Sequence, residues 1–281
     1  MWKQKIGIST NYAYKIPTCE VVEIIARAGF DAISPAWKND GELYKVVEHA
    51  RSLGLAIQSM HAPFTISADM WGDDEEKARA AKKELFAALK ACAQLQIPVL
   101  VCHTWIGFSY TQKPGQIGLD NFSTVVEKAE KLNIKIAFEN TEGEEFLFTL
   151  MDYFKDNKTV GFCWDSGHEM CYNGSADLLA KFGDRLMMTH LNDNLGVSRF
   201  DGSIFWTDDL HLLPYDGIAD WKYNVERLKK SAPLEFLNFE LNINSKPGRH
   251  ENDIYADMKL EVYFAEAYKR ACRIAFEYSK K

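Results

Sequence analysis

Ile134-Lys135-Ile136-Ala137-Phe138 is a short apolar run that ends in Glu139-Asn140-Thr141-Glu142-Gly143. A run of this length suits a parallel strand covered on both faces. A strand that opens into carboxylates and amides suits the mouth of a functional site. The same construction recurs outward in both directions. Upstream stand Ile6-Gly7-Ile8-Ser9, Ala32-Ile33-Ser34, the run 55–60 and Val99-Leu100-Val101-Cys102. Downstream stand the run 160–164, Leu186-Met187-Met188-Thr189 and Phe236-Leu237-Asn238-Phe239. Between these eight runs lie segments of helical periodicity, clearest over 20–28, 42–53, 75–94, 119–132 and 221–231, with 258–278 closing the chain. Eight β units separated by helices argue for α/β architecture, a single (β/α)8 TIM barrel occupying residues 1–281 as one domain. A doubly wound open sheet would announce itself by a glycine-rich phosphate loop after its first strand. Ser9-Thr10-Asn11-Tyr12 is not such a loop.

The composition agrees with a globular protein. Of 281 residues, 47% are hydrophobic and 26% charged, which excludes disordered and fibrous classes. No apolar run approaches the roughly 20 residues of a membrane span. The start, Met1-Trp2-Lys3-Gln4-Lys5, lacks the apolar region of a signal peptide. Six cysteines are scattered without a CxxC pair and read as reduced thiols, so a cytoplasmic location is expected. The net charge of −7 favours solubility and gives no general reason to bind nucleic acid.

Barrel enzymes carry their chemistry at the C-terminal ends of the strands. After the third and fourth runs come His61-Ala62-Pro63-Phe64 and His103-Thr104-Trp105. The fifth ends in Glu139, the sixth in Asp165-Ser166-Gly167-His168, the seventh in His190-Leu191-Asn192-Asp193 and the eighth in Glu240. Asp209-Leu210-His211 lies in the long loop after the seventh. Five of the seven histidines therefore stand at strand exits beside carboxylates; His49 and His250 are the exceptions. Imidazoles and carboxylates converging from separate strands are what a divalent cation needs. Glu139, Asp165, His190 and Glu240 form one such set, suited to Mn, Zn, Mg or Co. His61, His103, His168, Asp209 and His211 could build a second metal site, or they could bind substrate and orient the carboxylates.

The order His61 (HAPF), His103 (CHTW), Glu139 (FENTEG), Asp165-x-x-His168 (DSGH), His190 (THLND), Asp209-x-His211 (DLH), Glu240 (NFELN) resembles the xylose isomerase-like barrel superfamily. That group includes sugar isomerases, sugar epimerases and AP endonucleases of the endonuclease IV type. The resemblance implies that Glu139, Asp165, His190 and Glu240 are metal ligands, with Glu139 and Glu240 as the acid/base pair that moves a proton through an enediolate. All nine residues also match the zinc ligands of the nuclease pattern. Ketose epimerases offer an arginine after the seventh-strand histidine; here Arg199 is the first candidate. Barrels of this group are often homo-oligomers.

Loop composition then separates sugar from DNA. The loop cations are Lys15, Lys38, Lys113, Arg199, Lys246 and Arg249, and acids, among them Asp69, Asp73, Glu142, Glu144, Glu145, Asp201, Asp208 and Asp216, outnumber them. A duplex binder needs lysines and arginines for phosphates, so nucleic acid is disfavoured. The loops also carry Trp37, Phe64, Trp71, Trp105, Phe108, Tyr110, Phe205, Trp206 and Tyr215. Such rings pack against sugar C–H faces or form an apolar lid. The expectation is a metal-dependent sugar isomerase or epimerase on a small carbohydrate, with Trp105, His168 and Arg199 at the substrate. An AP endonuclease is the alternative, and a non-catalytic metal- or sugar-binding barrel a third reading.

Overall fold

The computed structural model describes residues 4–10, 14–174 and 176–280. Asn11 and Tyr12, half of the segment read as lacking a phosphate loop, lie outside the described residues, as do Met1, Trp2 and Lys3.

All eight apolar runs form parallel strands. They are Lys5–Ser9, Ala32–Ser34, a third in two pieces (Ala56–Ile57 and Met60–His61), Val99–His103, Lys135–Glu139, Val160–Asp165, Leu186–His190 and Phe236–Phe239. The third breaks because its halves face different neighbours: Ala56 and Ile57 pair with Ala32 and Ile33, while Met60 and His61 pair with Leu100 and Val101. A bridge between Ala36 and His61 and another between Leu191 and Phe239 join the two arcs. The first strand pairs with the eighth, Ile6 opposite Leu237 and Ile8 opposite Phe239, so the ring closes. This is a TIM barrel.

Six helices fall where periodicity predicts them: Thr18–Ala28, Glu42–Ser52, Glu75–Gln94, Gln116–Leu132, Trp221–Lys229 and Leu260–Ser279. Glu144–Tyr153, Ser166–Cys171 and Leu178–Phe182 are further helices. Among the described residues no helix is long and apolar enough to cross a membrane.

The barrel interior positions the site. Val101, Ala137, Cys163 and Met188, from four successive strands, form a fully buried layer of their own. Each stands two residues before His103, Glu139, Asp165 or His190. Because strand side chains alternate with period two, those four polar residues share the inward face, one layer nearer the mouth.

Packing behind the fourth strand leaves no slack. Trp71 is buried and donates its indole N–H to Thr104 O at 2.7 Å. A Cβ on Gly118 would lie 1.9 Å from Trp71 Cε3. Helix propensity favours Ala over Gly by about 1 kcal/mol, but overpacking costs about 1–3 kcal/mol. Gly118→Ala is therefore expected to lower the unfolding free energy in a urea titration; a gain in stability would mean that Trp71 is free to move.

Candidate metal centre

Six strands deliver one ligand-type residue each to the mouth. His61, His103, Glu139, Asp165 and His190 are the last residues of their strands, and Glu240 follows the eighth directly. Asp165 also caps the helix Ser166–Cys171, its Oδ1 accepting from His168 N at 2.7 Å, which explains the Asp-x-x-His spacing. The Asn192 amide holds both Asp165 oxygens, at 3.1 and 2.9 Å. His211 sits at φ 50°, a left-handed conformation costing on the order of 1–2 kcal/mol for a residue with a Cβ. Its carbonyl accepts from Asn242 N at 2.9 Å, anchoring it to the loop behind Glu240.

Backbone carbonyls set the tautomers. His61 Nδ1 donates to Ala62 O (2.7 Å), His168 Nδ1 to Asn140 O (2.9 Å) and His211 Nδ1 to Glu240 O (3.0 Å). A carbonyl can only accept, so Nδ1 carries the hydrogen and Nε2 turns inward, as metal-binding imidazoles are held. His61 and His103 Nε2 lie 3.3 and 3.4 Å from Glu139 Oε2. His168 and His211 Nε2 lie 3.4 and 2.8 Å from Asp209 Oδ1. His190 uses Nδ1 instead, 2.9 Å from Glu139 Oε1 and 2.7 Å from Glu240 Oε2.

These contacts test whether a metal fits. Glu139 Oε2 and Asp209 Oδ1 are buried oxygens with no hydrogen-bond donor. Each faces imidazole nitrogens whose lone pairs point at it unless protonated, and two acceptors meet stably only across a cation. Without metal a proton takes that place between Asp209 and His168 and between Glu139 Oε1 and His190. Burial would depress His168 and His190, but Asp165 and Asp209 around His168, and Cys163, Glu139 and Glu240 around His190, hold both well above the usual histidine range. Burial would raise Glu139 and Asp209, yet the neighbouring imidazoles hold both carboxyls well below theirs. The donor set suits divalent metals. Glu139, Asp165, His190 and Glu240 bring ligand atoms within 4.8 Å of one another, and so do His61, His103 and Glu139, and Asp165, His168 and His211. All nine residues predicted from sequence are thus brought together, with the two oxygens of Glu139 facing different histidines.

Above them lies a cavity of about 510 Å³. Trp37, Phe64, Phe108, Trp206 and Lys246 line it, all noted in the sequence. Glu142 and Tyr172 line it too. Glu142 Oε1 accepts from Gly107 N at 2.8 Å, which fixes the carboxylate. Tyr172 stacks on His168, centroids 5.2 Å apart, and went unnoticed as a site residue; its place four residues after His168 was the signal.

Two residues expected at the substrate lie elsewhere. Trp105 is buried flat against Phe146, centroids 4.1 Å apart and planes 6° apart, with its N–H on Gly107 O. It forms wall rather than lining, because Phe146 covers one face and the Tyr110 ring stands 4.7 Å away. Arg199 is exposed, its guanidinium 4.4 Å above Phe205 and within 3.4 Å of Ser203 Oγ. The loop carries it outward, and Lys246 is the cation that reaches the cavity.

A parallel eight-stranded barrel with histidines and carboxylates converging at its mouth defines a class of metal-site barrels. Within that class, residues 22–255 match the family described as "xylose isomerase-like TIM barrel", and the chain belongs to that family. Two solved structures share the fold. The IolI protein with a bound zinc atom aligns at TM-score 0.74 and 17% identity, covering 98% of this chain and 99% of that one. A D-psicose 3-epimerase from Clostridium cellulolyticum H10, solved with D-tagatose, aligns at TM-score 0.69 and 15% identity, covering 96% and 98%. An uncharacterized protein, y4fM, of Sinorhizobium fredii (strain NBRC 101917 / NGR234) is 30% identical over 161 residues, 54% of this chain. The chain spans about half of that relative's length, 49%.

Proposed function

We propose that this chain is a divalent-metal-dependent sugar isomerase or epimerase. The observation that carries the reading is the convergence of Glu139 and Glu240 on one nitrogen of His190 at the floor of the cavity. A divalent cation (Mn, Zn, Mg or Co) held by Glu139, Asp165, His190 and Glu240 would supply Lewis acidity to the carbonyl and adjacent hydroxyl oxygens of a sugar. The chain's own residues move the proton. One glutamate removes it from the carbon beside the carbonyl and the other returns or accepts it, through an enediolate. Burial opposes ionisation of both carboxyls, but His190 and its neighbours overcome it, so the resting pair is ionised and the proton returned is the one taken from the substrate. His168 orients the substrate, with Tyr172, Glu142 and Lys246 placed to meet its hydroxyls.

An AP endonuclease is the second reading, favoured by the two further histidine–carboxylate groups around Glu139 Oε2 and Asp209. Charge argues against it. Lys113 faces Glu145, Lys246 faces Asp209, and Arg249 is committed to Asp208 and Glu251. Few cations remain for phosphates, and Glu142 would repel one. We also take residues 1–281 as one domain in the cytoplasm, in keeping with six unpaired cysteines.

Incubating metal-loaded protein with ketoses and aldoses in D₂O is expected to place deuterium on the carbon beside the carbonyl. No exchange with any sugar, together with nicking of an abasic duplex, transfers the assignment to the nuclease. Tight binding of metal or sugar without turnover leaves the non-catalytic barrel. Metal analysis separates the first two independently: one ion per chain suits the isomerase, two or three the nuclease-like cluster.

A further inference from the structure

Proton transfer between Glu139 and Glu240 leaves one reactive side chain at the floor of the site unused. Cys163 stands on the sixth strand, completely buried, and pairs in register with Glu139 on the fifth. Paired residues of neighbouring parallel strands project to the same face, so thiol and carboxylate both point into the barrel. Cys163 Sγ, a carboxylate oxygen of Glu139 and a ring nitrogen of His190 lie within 4.8 Å of one another. Among the described residues no other cysteine stands in such a group. Cys92, Cys102 and Cys171 are buried too, so burial alone does not bring a thiol to the histidines.

A buried cysteine can serve simply as a small apolar side chain. Val101, Ala137 and Met188 do so in the same layer. Cys163 has different neighbours. Glu139 Oε2 and His190 Nε2 are buried atoms without a hydrogen-bond partner, and both residues belong to the group around its sulfur. A divalent ion such as zinc bonds sulfur at about 2.3 Å and nitrogen or oxygen at about 2.0–2.2 Å, so ligand atoms on one centre stand no more than about 4.5 Å apart. A few tenths of an ångström of side-chain movement therefore closes the group on one ion.

We infer that Cys163 is a sulfur ligand of the ion held by Glu139 and His190, and that it selects zinc over manganese or magnesium. This rests on the metal-dependent reading above and narrows its choice of metal. Without sulfur, Glu139, Asp165, His190 and Glu240 offer one nitrogen and otherwise hard oxygens, a set that magnesium and manganese accept as readily as zinc. Thiolate is soft and favours zinc, whereas carboxylates and water suit the harder ions. Binding exchanges the S–H proton for the ion, because a coordinating cation deprotonates the thiol outright.

Cobalt(II) is the probe, since it takes zinc's place at such centres and reports sulfur by colour. Metal-depleted protein titrated with cobalt is expected to develop an intense near-ultraviolet thiolate-to-cobalt charge-transfer band. Cys163→Ser and Cys163→Ala are each expected to abolish that band while cobalt still binds, which metal analysis after dialysis reads. In calorimetric titrations both variants are expected to bind zinc at least about tenfold more weakly, the scale of losing a partner of a metal ligand. Manganese affinity should stay nearly unchanged. Melting temperatures check folding, and serine keeps the shape of the thiol should alanine loosen the barrel. Bound cobalt without the band, or a band that survives both substitutions, overturns the inference. Zinc and manganese weakened alike also overturns it, since a cysteine that only packs would disturb both ions equally. Deuterium exchange on a sugar by cobalt-loaded protein lacking the band overturns the sulfur ligand alone. The band without exchange on any sugar overturns the isomerase reading and leaves the sulfur ligand standing.

Discussion

Glu139→Gln is expected to lower sugar turnover by on the order of 10²–10⁴-fold, the scale of losing a positioned acid/base. No other carboxylate is shared so widely. Glu139 Oε1 lies against His190, Glu139 Oε2 against both His61 and His103, and the side chain is completely buried. Glutamine keeps the volume but removes the charge that a metal or a protonated imidazole needs. Measuring bound metal beside turnover divides the two roles of this residue. Lost turnover with metal retained assigns Glu139 to proton transfer; loss of both assigns it first as a ligand. Glu142→Gln is the control, since Glu142 also lines the cavity but spends one oxygen on Gly107 N instead of on a site histidine. It should cost no more than about 100-fold, the value of one hydrogen bond to a charged group. A Glu139→Gln enzyme that keeps a tenth of its activity would remove Glu139 from the chemistry.

The barrel was legible because buried parallel strands leave an unmistakable trace. Val160–Asp165 is buried at all six positions, and its sequence is correspondingly apolar up to the terminal carboxylate. The nine-residue cluster was legible for a related reason: seven of its members sit at a strand end or one helical turn beyond it, so the strand boundaries index them, while Asp209 and His211 stand in the long loop after the seventh strand. Three helices were not singled out. Glu144–Tyr153 carries Phe146, Leu147, Phe148, Leu150 and Met151 almost consecutively, which blurs its period, and Ser166–Cys171 is barely longer than one turn. Trp105 and Arg199 were misplaced because sequence position says that a residue lies near the mouth, not which way its side chain turns. Trp105 turns toward Phe146 and Arg199 toward Phe205. Asn192 stood at the exit of the seventh strand, but its role was not readable there, since only the fold shows an amide bonded to both oxygens of Asp165.

Stripping the metal with a chelator is expected to lower the melting temperature by on the order of 10 °C. A ligand at 1,000 times its dissociation constant stabilises the folded state by about 4 kcal/mol, and each kcal/mol moves the midpoint by about 2–4 °C for a chain of this size class. Mutual repulsion of the carboxylates is the obvious cause, but the structure places an imidazole against each of Glu139, Asp209 and Glu240. The metal-free site is therefore held by protons, and this gives the effect a pH signature. Burial works against charging His168, His190 and His211, yet their carboxylate neighbours raise all three above the unfolded value. A raised histidine contributes stability that is complete below its unfolded pKa of about 6.5 and is lost as pH climbs through the folded value. Once those protons leave, Glu139 and Glu240 face each other across His190 without compensation, and Asp209 keeps only Lys246. A bound divalent cation holds the same carboxylates without needing the protons. The gap in melting temperature between loaded and stripped protein should consequently widen from pH 6 to pH 9. Calorimetric scans of both forms across that range read it directly. A gap that stays constant would show that protons do not stand in for the metal, and a chelator with no effect at any pH would move the metal away from these nine residues altogether.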